Sequence, residues 1–271
     1  QPTDELRSYR PVTLTSIMAK LTERVISARL LHQIEPKLHQ NQFGFRPGRT
    51  TGNVVQRVID DIVAGYNDYR FTARTDQANK MTVKNQKTIA VFYDLTAAFD
   101  KVDHRKLFKK LCSLGVDHET LRWIRNFLVG RTMRTRYQSA VSHLKKIKSG
   151  VPQGTILGPI LWSIYVDDLL RRLNGGNGRN GVSYMYADDL TVLATGQKAA
   201  DCRELLVNAH HIITSWCSEN GMIISAKTES RHFTSQQQGQ DVYKLAHIRA
   251  SESASSRLLE VYLDQQLFAH H

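Results

Sequence analysis

The chain has 271 residues, 41% of them apolar, so it can bury a sizeable core and is globular rather than disordered. No apolar run reaches the roughly 18 residues that a membrane-spanning helix needs, so we expect no membrane partner. The formal net charge is +12, and residues 101–148 alone hold 13 Lys and Arg against 3 acids, a block that suits a polyphosphate partner.

The first predicted element is an amphipathic helix that follows Thr15 and Ser16. Its apolar residues recur at steps of three and four, namely Leu14, Ile17, Leu21, Val25, Ala28 and Leu31. A loop then runs through residues 41–49, and a further helix is predicted over 51–64. Residues 65–88 are polar, basic and aperiodic, which indicates a surface loop or a short insertion.

The remaining elements mix strands and helices without strict alternation, which favours an α+β fold. In chain order they are a strand over 89–94, helices over 103–115 and 117–130, a basic hairpin over 131–148, a loop over 150–154, an apolar helix over 157–173, a turn over 174–178, an acidic hairpin over 182–194, a helix that ends at Asn220 and Gly221, and a short strand over 222–225. An alternative interpretation of the basic block is that its charges are only the solvated faces of these helices.

Cysteine usage and the first residue narrow the class of protein further. The three cysteines are odd in number and have no paired spacing, so we predict neither a disulfide framework nor a zinc site. The chain begins at Gln1 rather than Met, which indicates a fragment, so the lack of a signal peptide carries little weight.

Three acids are the strongest candidates for chemistry. Asp188 and Asp189 separate two apolar strands in Tyr186-Ala187-Asp188-Asp189, which predicts a β-hairpin with acids at its turn. Asp94 ends the apolar run over 89–93. Carboxylates at strand ends can converge on Mg²⁺, which prefers oxygen ligands and bridges to substrate phosphates. Because close carboxylates repel unless a cation neutralises them, we expect bound metal and a two-metal phosphoryl- or nucleotidyl-transfer site.

Other acids compete for this role. Paired acids also fit acid–base hydrolysis, but the basic block argues against a neutral sugar substrate. A second Tyr-x-Asp-Asp, at Tyr165 to Asp168, follows apolar residues at helical spacing and has no flanking strand, so we predict that it holds no metal. Asp100 and Asp103 are expected at the start of the helix after Asp94, where acids cap free N–H groups and favour the helix dipole.

Six motifs occur in order within a resemblance that covers roughly residues 6–264. They are Tyr9-Arg10-Pro11-Val12-Thr13-Leu14, Phe43-Gly44-Phe45-Arg46-Pro47-Gly48-Arg49, Tyr93-Asp94-Leu95-Thr96-Ala97-Ala98-Phe99-Asp100, Ser149-Gly150-Val151-Pro152-Gln153-Gly154, Tyr186-Ala187-Asp188-Asp189, and Gly221 through Lys227-Thr228-Glu229. Together they resemble the reverse transcriptase of non-LTR (LINE-type) retrotransposons, in phrasing that is nearest to the ingi/jockey-like elements.

The resemblance implies a right-hand polymerase fold with fingers, a palm built on an antiparallel sheet, and a thumb that is largely missing. It implies fingers in residues 1–88 and a palm with interleaved fingers helices in 89–232. Residues 233–271 would then form a C-terminal palm hairpin and the possible start of a thumb. Missing flanking domains of a larger polyprotein are expected, and the resemblance implies action in the nucleus.

The implied activity is RNA-directed DNA synthesis from an RNA template, a DNA primer and dNTPs. Two Mg²⁺ ions, with Mn²⁺ as a possible substitute, would bind Asp94 and Asp188, with Asp189 beside them. One ion would activate the primer 3′-hydroxyl and the other would hold the triphosphate. Lys227 matches a family lysine that is proposed to protonate the pyrophosphate.

The resemblance also assigns residues to the incoming nucleotide. Phe99 lies where the family has the aromatic ring that screens the sugar 2′ position and rejects ribonucleotides. Gln153 and Gly154 match the loop beneath the nucleotide, and Arg10 matches an arginine that clamps the triphosphate. Contact with the template backbone is expected for two further residues, Arg46 and Arg49.

Departures from the family pattern leave alternatives open. Glu260 stands in the primer-grip segment where the family usually has Gly, and an acid near primer phosphate is unfavourable. The chain could therefore be a decayed element copy that binds nucleic acid without synthesis. A related right-hand polymerase that makes RNA or adds repeats as telomerase does is a second alternative, although Phe99 disfavours RNA synthesis.

Overall fold

The computed structural model describes residues 12–67, 87–175, 181–233, 249–250, 255–258 and 261–264. Within these ranges the helices are α1 (Ile17–Ile34), α2 (Thr51–Asn67), α3 (His104–Ser113), α4 (His118–Leu128), α5 (Leu157–Asn174) and α6 (Ala199–Asn220). The strands are β1 (Lys87–Tyr93), β2 (Thr132–Met133), β3 (Arg136–Tyr137), β4 (Ala140–Val141), β5 (Lys145–Lys146), β6 (Val182–Tyr186), β7 (Asp189–Gly196), β8 (Glu229–Phe233), β9 (Arg249–Ala250), β10 (Ser255–Leu258) and β11 (Val261–Asp264). The α+β class is confirmed.

A five-stranded sheet in the order β6-β7-β1-β8-β9 organises the core. Strand β1 lies at its centre and pairs antiparallel with β7 and with β8. Successive side chains of a strand point to opposite faces. Ile89 and Val91 accordingly pack with α5 and α6, whereas Ala90 packs on the side of α2. Helices cover both faces of the sheet, which explains why β1 is apolar almost throughout.

Helix α5 runs through the larger core, and 13 of its 18 residues are buried. Its N-cap residue, Ile156, offers no side-chain cap. Instead, Oε2 of Glu23 on α1 accepts hydrogen bonds from the backbone N–H groups of Ile156 and Leu157, at 2.8 and 3.2 Å. Negative charge is favourable at a helix N-terminus, so this fully buried carboxylate caps α5.

The buried face of α1 differs from the predicted one. The helix begins as expected, with Ser16 as its N-cap. However, the predicted apolar face remains exposed in its first half, at Leu14, Ile17, Leu21 and Val25. The buried side chains are Glu23, Ser27, Leu30 and Ile34. The physical reason is the cap on α5, because Glu23 can reach those N–H groups only if the opposite side of α1 faces solvent.

Most other predicted elements form close to their expected bounds. Asp103 and Asp117 are the N-caps of α3 and α4, and Gly221 ends α6 in a left-handed conformation, with a φ of 68°. Part of the predicted 65–88 loop is helical, because α2 continues to Asn67, and residues 68–86 lie outside the described ranges.

The strand predicted over 222–225 is wrong. Its residues form only an isolated bridge between Ile224 and Leu95, and the next strand along the chain is β8. The segment meets residues that follow β1, where the chain leaves the sheet, so the pairing cannot continue. The predicted turn over 174–178 begins at the last residue of α5, and its residues beyond Gly175 lie outside the described ranges.

In the described part of the chain, no helix has the length and apolar character needed to cross a membrane. All three cysteines are free thiols. Burial raises the pKa of the Cys202 and Cys217 thiols to about 11, so both stay protonated and unreactive at neutral pH.

Replacing Glu23 by Ala should destabilise the fold, because the substitution leaves two N–H groups at the start of α5 without their acceptor. We expect the free energy of unfolding to fall by about 1–3 kcal/mol in chemical denaturation. Glu204→Ala is the matched control, since Glu204 is exposed on α6 and should cost little. Equal unfolding midpoints for the two variants would contradict the cap.

Candidate active site

The pairing of β1 with β7 brings the predicted acids to one end of the sheet. Tyr93, the last residue of β1, pairs with Leu190, so Asp94 leaves the strand at the end of the sheet where Asp189 begins β7. In the neighbouring hairpin Tyr186 pairs with Asp189, which leaves Asp188 in the two-residue turn between β6 and β7. Strand register alone therefore brings acids that are 94 residues apart in sequence to the same end of the sheet.

The turn that carries Asp188 has an unusual backbone. Ala187 has a φ of 55°, and positive φ at the first turn residue is the position that normally calls for glycine in a two-residue hairpin. The indole Nε1 of Trp162 on α5 donates a hydrogen bond of 2.8 Å to the Ala187 carbonyl. On the other side, a Cβ added to Gly44 would lie 2.2 Å from the Ala187 nitrogen. Only glycine permits this approach, so α5 and the 41–46 segment hold the turn from two sides.

The 41–46 segment is itself bonded to β6. The Phe43 N–H donates to the Met185 carbonyl at 2.8 Å, and the Met185 N–H donates to the Asn41 carbonyl at 3.0 Å. These two bonds fix the second motif against the strand that leads into the acidic turn, which the sequence order of the motifs does not reveal.

Asp94 is tied to the segment that carries Lys227. Its carbonyl accepts a hydrogen bond of 2.8 Å from the Ser225 N–H, and its own N–H lies 3.4 Å from the Thr228 hydroxyl. The Lys227 N–H in turn donates to the Ser225 hydroxyl at 3.1 Å, while the Lys227 side chain is exposed. The backbone thus holds Lys227 near the end of β1.

The carboxylates suit a hard cation but do not form a closed cage. Asp94 and Asp188 are half-buried and Asp189 is exposed. Within the described ranges, no three His, Cys, Asp or Glu side chains are arranged to hold a metal ion. Mg²⁺ is usually held by one or two carboxylates together with substrate phosphates and water, so an open pair of aspartates fits that ion better than Zn²⁺.

Phe99 lies in a short 3₁₀ turn after Asp94 and packs between two aromatic rings. Its ring centroid is 5.5 Å from that of Trp162 and 6.3 Å from that of Phe45, the latter edge-on. The same indole therefore braces both Phe99 and the Ala187 carbonyl. Sequence reasoning did not single out Trp162, because an apolar residue in a buried helix carries no signal of this second contact.

Gln153 contacts an acid that was predicted to be purely a helix-start residue. Its Nε2 donates to Asp100 Oδ1 at 3.1 Å, and its carbonyl accepts from the Thr13 N–H at 2.8 Å. Asp100 lies in the 3₁₀ turn before α3 rather than in that helix, so its expected helix-start role is wrong and it instead orients Gln153.

Gly154 adopts a φ of 87°, and a Cβ there would lie 3.0 Å from Val12 Cγ1 and 3.3 Å from the Thr13 carbonyl oxygen. Residues 12 and 13 of the first motif therefore lie against the 150–154 loop. Arg10 of that motif and Glu260 lie outside the described residues. The strands on either side of Glu260 in the chain, β10 and β11, pair antiparallel.

Arg46 is bonded within the fold, which argues against its expected contact with the template backbone. It is 7% exposed, its Nη2 lies 2.7 Å from Glu35 Oε1, and it donates to the carbonyls of His39 and Gln42. A guanidinium with this many internal partners holds the loop together and has no free edge for phosphate.

Arg49 is also bonded internally. It donates to the carbonyls of Gln40 and Gln42 and lies 5.3 Å from the centre of the Phe43 ring. Burial lowers its pKa somewhat, with the nearby Arg46 acting in the same direction. These contacts give Arg49 a structural role in the loop, and its expected template contact stays a prediction.

The second Tyr-x-Asp-Asp lies on α5, as predicted, and its acids are bonded within the fold. Asp167 accepts hydrogen bonds of 2.6 Å each from the His39 N–H and from Arg171. Asp168 accepts from Lys110 at 2.8 Å and from the Trp216 indole at 2.9 Å. Burial lowers the pKa of Lys110, against the opposing effect of Asp168. Both acids therefore already have cationic partners within the fold.

The fold resembles that of telomerases of known structure. The chain superimposes on apo telomerase of Candida tropicalis truncated from its C-terminal domain with a TM-score of 0.58 and 13% identity, covering 92% of this chain and 44% of that one. A telomerase of Candida albicans in complex with a telomeric RNA fragment gives a TM-score of 0.55 at 11% identity, covering 91% and 36%. At such identities the likeness concerns the fold alone.

A profile of the family "Reverse transcriptase (RNA-dependent DNA polymerase)" matches residues 2–240, so the chain belongs to this family of enzymes. It is 26% identical over 276 residues to a probable RNA-directed DNA polymerase from transposon X-element of Drosophila melanogaster, covering all of this chain and 28% of that protein. It is 28% identical over 230 residues to the RNA-directed DNA polymerase from mobile element jockey of Drosophila funebris, covering 83% and 23%. The predicted non-LTR type is confirmed.

Two further facts concern the length of the relatives and the use of metal ions in the family. The chain spans under a third of the length of these relatives. Members of the family generally use divalent metal ions.

Trp162→Phe should loosen the acidic turn while keeping an aromatic ring in the core. The Ala187 carbonyl loses its donor, so we expect about 1–3 kcal/mol of lost stability and faster amide hydrogen exchange at Asp188 and Asp189. Trp123→Phe is the control, because that indole stacks on Phe127 and donates no hydrogen bond within the described residues. Unchanged exchange at the turn in Trp162→Phe would refute its role.

Proposed function

We propose that this chain is the polymerase domain of a longer non-LTR retrotransposon protein and that it copies an RNA template into DNA from a DNA primer and dNTPs. The observation that carries the proposal is the register of β1 and β7, which aligns Asp94 with the hairpin of Asp188 and Asp189. The division into fingers over 1–88, palm over 89–232 and C-terminal hairpin over 233–271 belongs to the same proposal.

Asp94 and Asp188 are the residues that would hold two Mg²⁺ ions, or Mn²⁺ in their place, with Asp189 beside them. When bound, these ions would favour ionisation of the primer 3′-hydroxyl and offset the charge of the leaving pyrophosphate. Lys227 would donate a proton to that pyrophosphate. Its support is the pair of hydrogen bonds that link its segment to Asp94 through Ser225.

The nucleotide would lie over residues that the fold holds still. Gln153 is fixed by Asp100, and Gly154 allows close approach of the backbone to the ligand. The Phe99 ring, packed on Trp162, would stand against the sugar C2′ and exclude a hydroxyl there. Arg10 is proposed to clamp the triphosphate on the strength of its motif.

Asp188→Asn should abolish primer extension on poly(rA)/oligo(dT) without lowering the melting temperature. Losing one carboxylate from a metal-dependent site removes several kcal/mol of transition-state stabilisation, so we expect a loss of about a hundredfold or more. Mn²⁺ affinity, measured by electron paramagnetic resonance, should fall in the same variant.

Asp168→Asn is the matched control within the chain, because it alters the same sequence pattern in a helix. It should lower the melting temperature, since Lys110 and Trp216 lose their acceptor, yet retain extension at temperatures where it is folded. Full activity in Asp188→Asn would overturn the proposal. A folded parent that binds an RNA–DNA hybrid but never extends a primer would favour the decayed-copy alternative.

Phe99→Val should raise the use of ribonucleotides relative to deoxyribonucleotides. A shortened side chain relieves the clash with the 2′-hydroxyl, and each 1.4 kcal/mol of relief is worth about tenfold in the ratio of kcat/KM values. The ratio is independent of the fraction of enzyme that is active. Phe108→Val on α3 serves as control, and an unchanged ratio in Phe99→Val would leave Phe99 as an ordinary core aromatic.

A further inference from the structure

Residues 131–148 form an exposed two-stranded ribbon, which we call the basic ribbon. Thr132 pairs with Lys146, and Arg136 pairs with Val141, in antiparallel register. Every residue from 132 to 146 is exposed, so the ribbon contributes nothing to the two hydrophobic clusters of the described residues. Packing within the fold therefore does not explain the ribbon, which points to a binding role.

The charge of the basic ribbon is of one sign. It contains six cations, at Arg131, Arg134, Arg136, Lys145, Lys146 and Lys148, and no acid occurs anywhere between Glu119 and Asp167. Four of these cations form no ion pair with any residue that the structure describes, namely Arg134, Arg136, Lys145 and Lys146. Unneutralised like charges repel one another and destabilise the compact state, whereas a bound polyanion relieves that cost.

Large apolar side chains are interleaved with these cations. Met133 is 42% exposed, Tyr137 56%, Val141 50% and Leu144 56%. A duplex conceals its bases and offers mainly phosphates to such a surface, but an unpaired strand can stack its bases on exposed rings while cations follow its backbone. The combination therefore fits single-stranded nucleic acid better than duplex.

The base of the ribbon adjoins the candidate active site. The Ser149 hydroxyl donates to the Asp100 carbonyl at 3.3 Å, and the Gly150 N–H donates to the Val102 carbonyl at 2.8 Å. These contacts anchor the end of the ribbon on the turn that carries Phe99 and Asp100. A strand that extends beyond the nucleotide site can thus pass onto the ribbon.

We propose that the basic ribbon binds the unpaired RNA template strand outside the polymerase site. This inference rests on the proposed function for the identity of the strand, but the binding itself requires neither metal nor synthesis. Arg136 and Lys145 contact phosphates, and Tyr137 stacks on a base.

The test is fluorescence anisotropy of a labelled, unstructured oligo(rU) titrated with the full chain in EDTA at several salt concentrations. Arg136→Gln/Lys145→Gln should reduce the magnitude of the slope of log K against log salt by about 1.4, since each lost phosphate contact on a single strand is worth about 0.7. Tyr137→Ala should weaken oligo(rU) binding about fivefold or more while leaving binding to an RNA–DNA duplex unchanged.

Two further variants make the result specific. Lys109→Gln/Arg203→Gln removes two exposed cations from α3 and α6 and should retain the parental slope. Arg136→Lys/Lys145→Arg keeps both charges and should therefore show the parental slope. Parental slope in the Gln ribbon variant, or an equal loss in the α3 and α6 variant, overturns the proposal. Equal weakening of duplex and single strand by Tyr137→Ala overturns the choice of an unpaired strand.

Failure here is separable from failure of the polymerase. If Asp188→Asn stops primer extension but the ribbon variants bind RNA as the parent does, the ribbon proposal alone is wrong. If the parent makes no DNA but the ribbon variants bind RNA more weakly than the parent does, the ribbon proposal stands and the proposed function fails.

Discussion

The hydrogen bond from the Trp162 indole to the Ala187 carbonyl is the contact on which the candidate site depends. It ties a two-residue turn, which by itself is soft, to a helix that the core surrounds on nearly every side. The same indole packs against Phe99, so the acidic turn and the Phe99 ring share one support. Sites built on rigid elements keep their geometry more closely than sites built on free loops.

Contacts farther from the site hold Trp162 in place. Trp162 is fixed because α5 is fixed, and α5 begins at two N–H groups that Glu23 of α1 caps. Burying a carboxylate is costly without donors, and although Oε1 is buried without a hydrogen-bond partner among the described residues, these two N–H groups satisfy Oε2. This explains why an acid occupies the inward face of α1, at the expense of the apolar stripe that the sequence displays on the other side.

Two pairs of adjacent aspartates with the same preceding tyrosine differ because of what surrounds them. Asp167 and Asp168 face Arg171 and Lys110, whose charges satisfy them within the fold. Asp188 instead lies in the turn between β6 and β7, at the end of the sheet where Asp94 follows β1. Strand or helix context in the sequence was enough to separate the pairs, since period and flanking residues are local properties.

Contacts between distant residues were beyond such reasoning. The motif order locates Arg46 and Asp100 near the site. In the structure Arg46 pairs with Glu35 and donates to the loop carbonyls, and Asp100 orients Gln153. Neither outcome follows from the residue type, because each is decided by a partner elsewhere in the chain. The face of α1 was mispredicted for the same reason, since the α5 N-terminus that Glu23 serves lies 133 residues away.

Backbone strain gives independent support to the location of the site. Of the four described non-glycine residues with positive φ, three, Phe45, Ala97 and Ala187, lie in the motif segments around the acids, and the fourth, Gln138, lies in the basic ribbon. Such conformations cost of order 1–3 kcal/mol each and persist only where the surroundings over-determine them. Here the surroundings are the Gly44 contact with Ala187, the Trp162 hydrogen bond, and the rings of Phe45 and Phe99 against each other. A packed core alone would not require three strained residues at one sheet end, whereas a site that must aim carboxylates and a ring at one substrate does.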